Sequence, residues 1–133
     1  ARFIAVTTFG HRDEALAEIE RVNRIHAKVG GTLPDGTPYQ ATNPRTLAWV
    51  HVTEAQSFLA GYLRHVRPSM PTAEQDEYYR QFAVIARALG ADPVPETRAE
   101  ADRIFRELRH DLATSKEARE VARKEQRERE RKE

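Results

Sequence analysis

The sequence predicts an all-α fold, a helical bundle of about five to six helices around a central hydrophobic helix over residues 44–66. Three observations predict it. Apolar residues recur at three- and four-residue spacing through most of the chain, the period of one helix face. Glycine, proline and capping residues punctuate those stretches where helices would start and stop. At 133 residues the chain is long enough for one core and too short for two independent ones.

The first stretch, with Phe3, Ile4, Val6 and Phe9, has no capping residue ahead of it. It reads as a helix whose first turns lie upstream in a longer chain, and Gly10 is placed to end it in a left-handed conformation. Over residues 13–29, Leu16, Ile19, Val22 and Val29 mark one apolar face, with Glu14, Glu18, Arg21, Arg24 and Lys28 largely elsewhere. Gly30 and Gly31 end this second helix. Pro34, Asp35, Gly36 and Pro38 then make residues 32–43 a turn-rich loop in which no regular element is expected.

Asn43 before Pro44 reads as an N-cap followed by proline at the first helical position. The helix it opens is apolar on most sides through Leu47, Trp49, Val50, Val52, Phe58, Leu59 and Leu63. Thr72 with Gln75, and Thr97 with Glu100, fit the capping box and open two more helices. The first carries Tyr78, Phe82, Ile85, Ala86 and Leu89 and stops at Gly90, with Tyr78 and Phe82 expected in the core and Tyr79 at its boundary. The second carries Ala101, Ile104, Phe105, Leu108 and Leu112, after a proline-stiffened connection over 91–96. Thr114 with Glu117 makes a third box, but residues 123–133 are all charged apart from Gln126. Such a segment has no face to bury and no heptad seam, so 1–122 is read as a partial helical domain and 123–133 as a solvated tail.

Twenty-two basic against twenty-one acidic residues leave a net charge of +1, which supplies no global field for nucleic acid. Cysteine is absent, so disulfides, thiolate chemistry and cysteine-ligated zinc or iron–sulfur sites are excluded. With no spanning run of apolar residues and no leader in the sequence, a cytoplasmic setting without a membrane span is expected.

Two histidines stand on apolar stripes. His26 follows Ile19 by seven residues and Val22 by four, and His51 follows Leu47 by four on the most hydrophobic helix. Each is either a core histidine hydrogen-bonded to a neighbouring helix or a ligand, and the pair lacks the short spacing of a helical zinc site. Glu54, Gln56 and Ser57 place polar groups where burial looks deepest, which means either a polar site inside the bundle or a helix edge wetter than its neighbours.

Four stretches in order, FIAVTTFG, VNRIHAKVGGTLPDGTPYQATNPRTLAWVHVT, PTAEQDEYYRQFAVIARALG and PVPETRAEADRIFRE, resemble the family of MpaB-type oxygenases and rubber oxygenases (latex-clearing proteins), over residues 1–122. That resemblance implies an all-helical fold and, from the rubber oxygenases, a b-type haem that activates dioxygen to cleave double bonds of polyisoprene; MpaB relatives imply cleavage of a prenyl chain. It implies a helix-borne histidine as haem ligand, for which His26, in RIHAKV, is the best match and His51, in WVH, the second. An arginine and a threonine near the iron precede this stretch in the family, and further core helices follow it, so nothing in 1–133 takes those roles. The expectation is therefore a haem-dependent oxygenase domain, incomplete as this chain, acting on a hydrophobic, prenyl-like small molecule. Its rival is a non-catalytic helical scaffold for protein association without haem. An all-round apolar third helix with few partners further implies a homo-oligomer.

Overall fold

The computed structural model describes residues 2–114 and 116–131, and side chains for all of these except 112–114, 116–119, 121, 122 and 125. Among them six helices and one short ribbon follow in order: α1 Arg2–Phe9, α2 Arg12–Ala27, β1 Gly30–Thr32, β2 Pro38–Gln40, α3 Pro44–His65, α4 Thr72–Ala88, α5 Arg98–Thr114 and α6 Lys116–Glu130. The fold is all-α in character, and α3 is its longest helix.

The core lies between α3, α4 and α5, and alanine makes it possible. Ala48 and Ala55 of α3, Ala83 and Ala86 of α4 and Ala101 of α5 are fully buried or nearly so. Side chains this short let helix axes approach closely. Larger residues fill the two ends. Val52, Ile104 and Leu108 form one cluster with Trp49 stacked on Phe105 at 5.3 Å; Leu59 and Tyr79 form the other with Tyr78, Phe82 and Leu63 packed against it. Tyr79 is 1% exposed while Tyr78 is half-buried, the reverse of the expected assignment. The contact with Ala101 and Leu59 draws Tyr79 inward, whereas Tyr78 lies toward the helix edge and donates its hydroxyl to the Ala55 carbonyl at 3.0 Å.

α1 and α2 pack on each other as a hairpin beside this body. Their seam buries Ile19 and, against expectation, Glu18, which is 4% exposed. The carboxylate survives there because Arg21 donates to both its oxygens, at 2.7 and 3.1 Å, and Arg2 lies 3.6 Å away. The Arg21 hydrogen bond holds the Glu18 carboxyl below its ordinary range despite burial.

The helix ends show which local signals were sufficient. Asn43 Oδ1 accepts from Arg45 N at 3.0 Å and Thr46 N at 3.3 Å, so α3 is capped as expected, with Pro44 in its first turn. Thr97 Oγ1 accepts from Glu100 N, while Glu100 reaches back to the amide of Glu96, at 3.0 Å each. At the end of α4, Gly90 has φ +91°, its amide bonds Arg87 O, and Ala91 N bonds Ala86 O, a Schellman closure.

Four expectations need correction. Gly10 does not take a positive φ; glycine is needed because a Cβ there would stand 2.6 Å from Val6 O. The Thr72–Gln75 capping box does not form. Pro71 occupies the cap position instead, which puts Thr72 inside the helix and frees Gln75 to donate to Met70 O at 2.9 Å. Residues 32–43 are not devoid of regular structure, and Gly30 and Gly31 lie in a strand. Gly30, Gly31 and Thr32 pair antiparallel with Gln40, Tyr39 and Pro38. The turn residues close that ribbon: Asp35 Oδ1 accepts from Thr37 N, and Gly36 takes φ +90°. Finally, Phe9, the last residue of α1, is 88% exposed.

Residues 123, 124 and 126–130 of α6 are exposed, on a helix with no large apolar side chain after position 121. Leu112, expected on the buried face of α5, and the Thr114–Glu117 pair lie outside the residues whose side chains are described. No helix among the described residues is long and apolar enough to cross a membrane.

Candidate functional site

The α1–α2 hairpin approaches the body without closing on it. Asn23 of α2 donates to the last carbonyl of α4, Ala88 O, at 3.1 Å and so pins the hairpin at one end. A cleft of about 330 Å³ remains between Phe3, Ile4, Val22 and His26 on the hairpin side and Leu47, Val50, His51, Glu54, Phe82 and Ile85 on the other. The volume is at the lower end of small-molecule sites, and the lining is apolar except for three side chains.

Those three are His26, His51 and Glu54. The helical period puts them there. His51 and Glu54 are three residues apart on α3 and share a face with Leu47, while His26 shares a face of α2 with Val22. Both histidines hold an orphaned nitrogen: Nδ1 of His26 and Nε2 of His51 are shielded from solvent and have no hydrogen-bond partner among the described residues. A shielded polar atom without a partner costs about 1–3 kcal/mol and calls for an explanation.

His51 is the more deeply placed, at 9% exposure, with the Phe82 ring centroid 4.9 Å from its own. Burial pushes its pKa down to about 4, so the imidazole is neutral at physiological pH and one nitrogen keeps its lone pair. Glu54 is half-buried, and the same desolvation raises its carboxyl above the usual range. A neutral imidazole and an acid held toward its protonated form are the inventory of a site that binds a soft electrophilic centre or moves protons.

The two histidines chosen from the sequence thus line one cleft. Of the polar trio on α3, Glu54 lines the same cleft, Gln56 turns away and donates to Asp102 at 3.2 Å, and the Ser57 hydroxyl returns to Thr53 O at 2.7 Å. The sequence reading gave no part to Phe3 and Ile4 in a cleft. Their signal was weak, because α1 is only eight residues long and apolar on two sides. Among the described residues no three histidine, cysteine, aspartate or glutamate side chains converge into a metal-holding group.

Residues 1–132 match the model of one family, the ER-bound oxygenase mpaB/B'/rubber oxygenase catalytic domain. No curated protein and no solved structure matches the chain. The match spans nearly the whole sequence, and the chain belongs to this family of oxygenase catalytic domains.

Proposed function

We propose, starting from that membership, that the cleft between the α1–α2 hairpin and α3–α4 is a haem-binding oxygenase site, in which His26 would hold the iron and His51 is the second candidate. One observation carries the reading: two imidazoles on different helices line one apolar cleft, and each holds a shielded, unpartnered nitrogen. The donor set fits the group. A structural or catalytic zinc ion takes three or four protein ligands, whereas haem supplies its own equatorial nitrogens and asks the protein for one or two axial side chains in apolar surroundings. When bound, haem would supply the activation of dioxygen for oxidation of an apolar substrate.

The chain's own residues have defined parts in this reading. Val22, Leu47, Val50, Phe82 and Ile85 exclude water from the cleft and offer only hydrocarbon surface, which favours an apolar, prenyl-like substrate. His26 leads because it combines the shielded nitrogen with a less enclosed position than His51. His51, neutral and tilted against the Phe82 ring, serves on the facing wall. Glu54 holds a proton at its carboxyl more readily than an exposed glutamate does.

Titration of the purified chain with haem tests the proposal. A Soret band is expected to appear and sharpen to one-to-one stoichiometry, to be lost in His26→Ala, and to persist with exposed His11 replaced by alanine. Absence of any band in the parent refutes haem binding by this chain. A band unchanged in His26→Ala but lost in His51→Ala transfers the ligand role to His51.

A further inference from the structure

A second cavity lies on the opposite side of α3. It measures about 450 Å³ and is lined by Gln56, Leu59, Ala60, Leu63, Arg64, Pro68, Tyr79, Arg98 and Asp102, none of which lines the histidine cleft. Eight ion pairs occupy arginines elsewhere among the described residues, yet neither Arg64 nor Arg98 meets a carboxylate within ion-pair distance.

Arg98 is held in place nonetheless. Its Nη1 donates to Gln75 Oε1 at 2.7 Å, and Gln75, 5% exposed, is itself fixed through Nε2 to Met70 O at 2.9 Å. A buried amide thus orients a guanidinium whose remaining nitrogens have no partner among the described residues. Tyr79 supplies the second observation. The residue is 1% exposed and lines the cavity, and its hydroxyl has no hydrogen-bond partner among the described residues. Burial first, and Asp102 second, push its pKa up to about 12, with Arg98 acting in the opposite sense, so the hydroxyl remains a donor at neutral pH.

We propose that this cavity binds a singly charged carboxylate carrying a hydrocarbon chain, with Arg64, Arg98 and the Tyr79 hydroxyl holding the carboxylate and Leu59, Ala60 and Leu63 receiving the chain. Two guanidinium groups and the Asp102 carboxylate leave one net positive charge, which a monoanion balances and a phosphate dianion exceeds. Asp102 Oδ1 accepts from Gln56 Nε2 at 3.2 Å. The fork of Arg98 matches two carboxylate oxygens, and the apolar floor distinguishes an alkyl acid from an inorganic one.

Calorimetric titration of the 133-residue chain with octanoate, octanol and inorganic phosphate tests this. Octanoate is expected to bind at least tenfold more tightly than either other probe. Arg64→Gln and Arg98→Gln should each weaken it about tenfold, and Tyr79→Phe, which keeps the core ring, several-fold; circular dichroism checks that the variants are folded. Equal binding of octanol removes the carboxylate from the recognition, equal binding of phosphate removes the apolar floor, and octanoate affinity unchanged in both arginine variants places the ligand elsewhere; each overturns the proposal. Because the cavity and the histidine cleft share no residue, failure here leaves the haem titration to stand or fall separately.

Discussion

Lowering the pH from 7.5 to 4.5 will destabilise the protein through His51. The unfolded chain protonates this histidine near the ordinary 6.5, whereas the folded chain resists until about 4 because burial penalises the imidazolium. Within that window the unfolded state binds more protons, so stability falls as pH falls. At about 1.4 kcal/mol per pH unit the interval integrates to about 3 kcal/mol, a large part of the ~5–15 kcal/mol that holds a domain together. Glu54 works in the other direction. Its folded pKa is raised, so the penalty of ionising it is present above that pKa and relieved as pH falls. Urea midpoints measured in steps of half a pH unit should therefore show a decline below pH 6.5 that steepens in Glu54→Gln and flattens in His51→Phe. A decline of equal slope in His51→Phe would refute the assignment and move the acid sensitivity to another group.

Three further outcomes follow from local geometry. Gly61→Ala, toward the C-terminal end of α3, should stabilise by about 0.5–1 kcal/mol, since a Cβ there meets nothing within 4 Å, whereas Gly90→Ala should cost roughly 1 kcal/mol or more because φ is +91°; thermal melts of the two will move in opposite directions. Asn43→Ala should lose about 1 kcal/mol of stability by leaving two amides of the first turn of α3 without their acceptor, read from the urea midpoint. Val50, Phe58 and Tyr62 are exposed on one i+4 row of α3 that Glu54 interrupts, so the chain is expected to sediment as a dimer or larger at micromolar concentration and to shift toward monomer in Phe58→Lys; a parent that is already monomeric contradicts this.

Helices were legible wherever a long apolar period met a strong boundary. Asn43–Pro44, Thr97–Glu100 and Gly90 each mark an observed end, because a cap is satisfied by atoms within one turn of itself. Pairing over distance was not legible. The Gly30–Thr32 and Pro38–Gln40 ribbon escaped notice because three-residue strands carry too little alternation, and their glycine and proline content argues against a strand. The capping box at Thr72 misled for a related reason: Gln75 has the chemistry for it, yet Arg98, twenty-three residues away, takes its side-chain oxygen. The same limit explains Tyr79. Adjacent tyrosines differ by about 100° around a helix, and only the position of Ala101 on α5 decides which one faces inward.

The central helix read as apolar on most sides, and its two-sidedness explains why. Leu47, Val50, His51 and Glu54 face the histidine cleft near its start, whereas Gln56, Leu59, Ala60, Leu63 and Arg64 face the second cavity near its end. Between these surfaces Ala48, Val52 and Ala55 face α4 and α5. One helix divided among a cleft, a core and a cavity needs hydrocarbon on nearly every side, and each polar residue within it then marks a place where the core gives way to a site. His51 and Glu54 do so on the first half, Gln56 and Arg64 on the second. Polar interruptions in an otherwise apolar helix were therefore the most informative part of the sequence, because their desolvation must be offset either by a partner within the fold or by something bound to it.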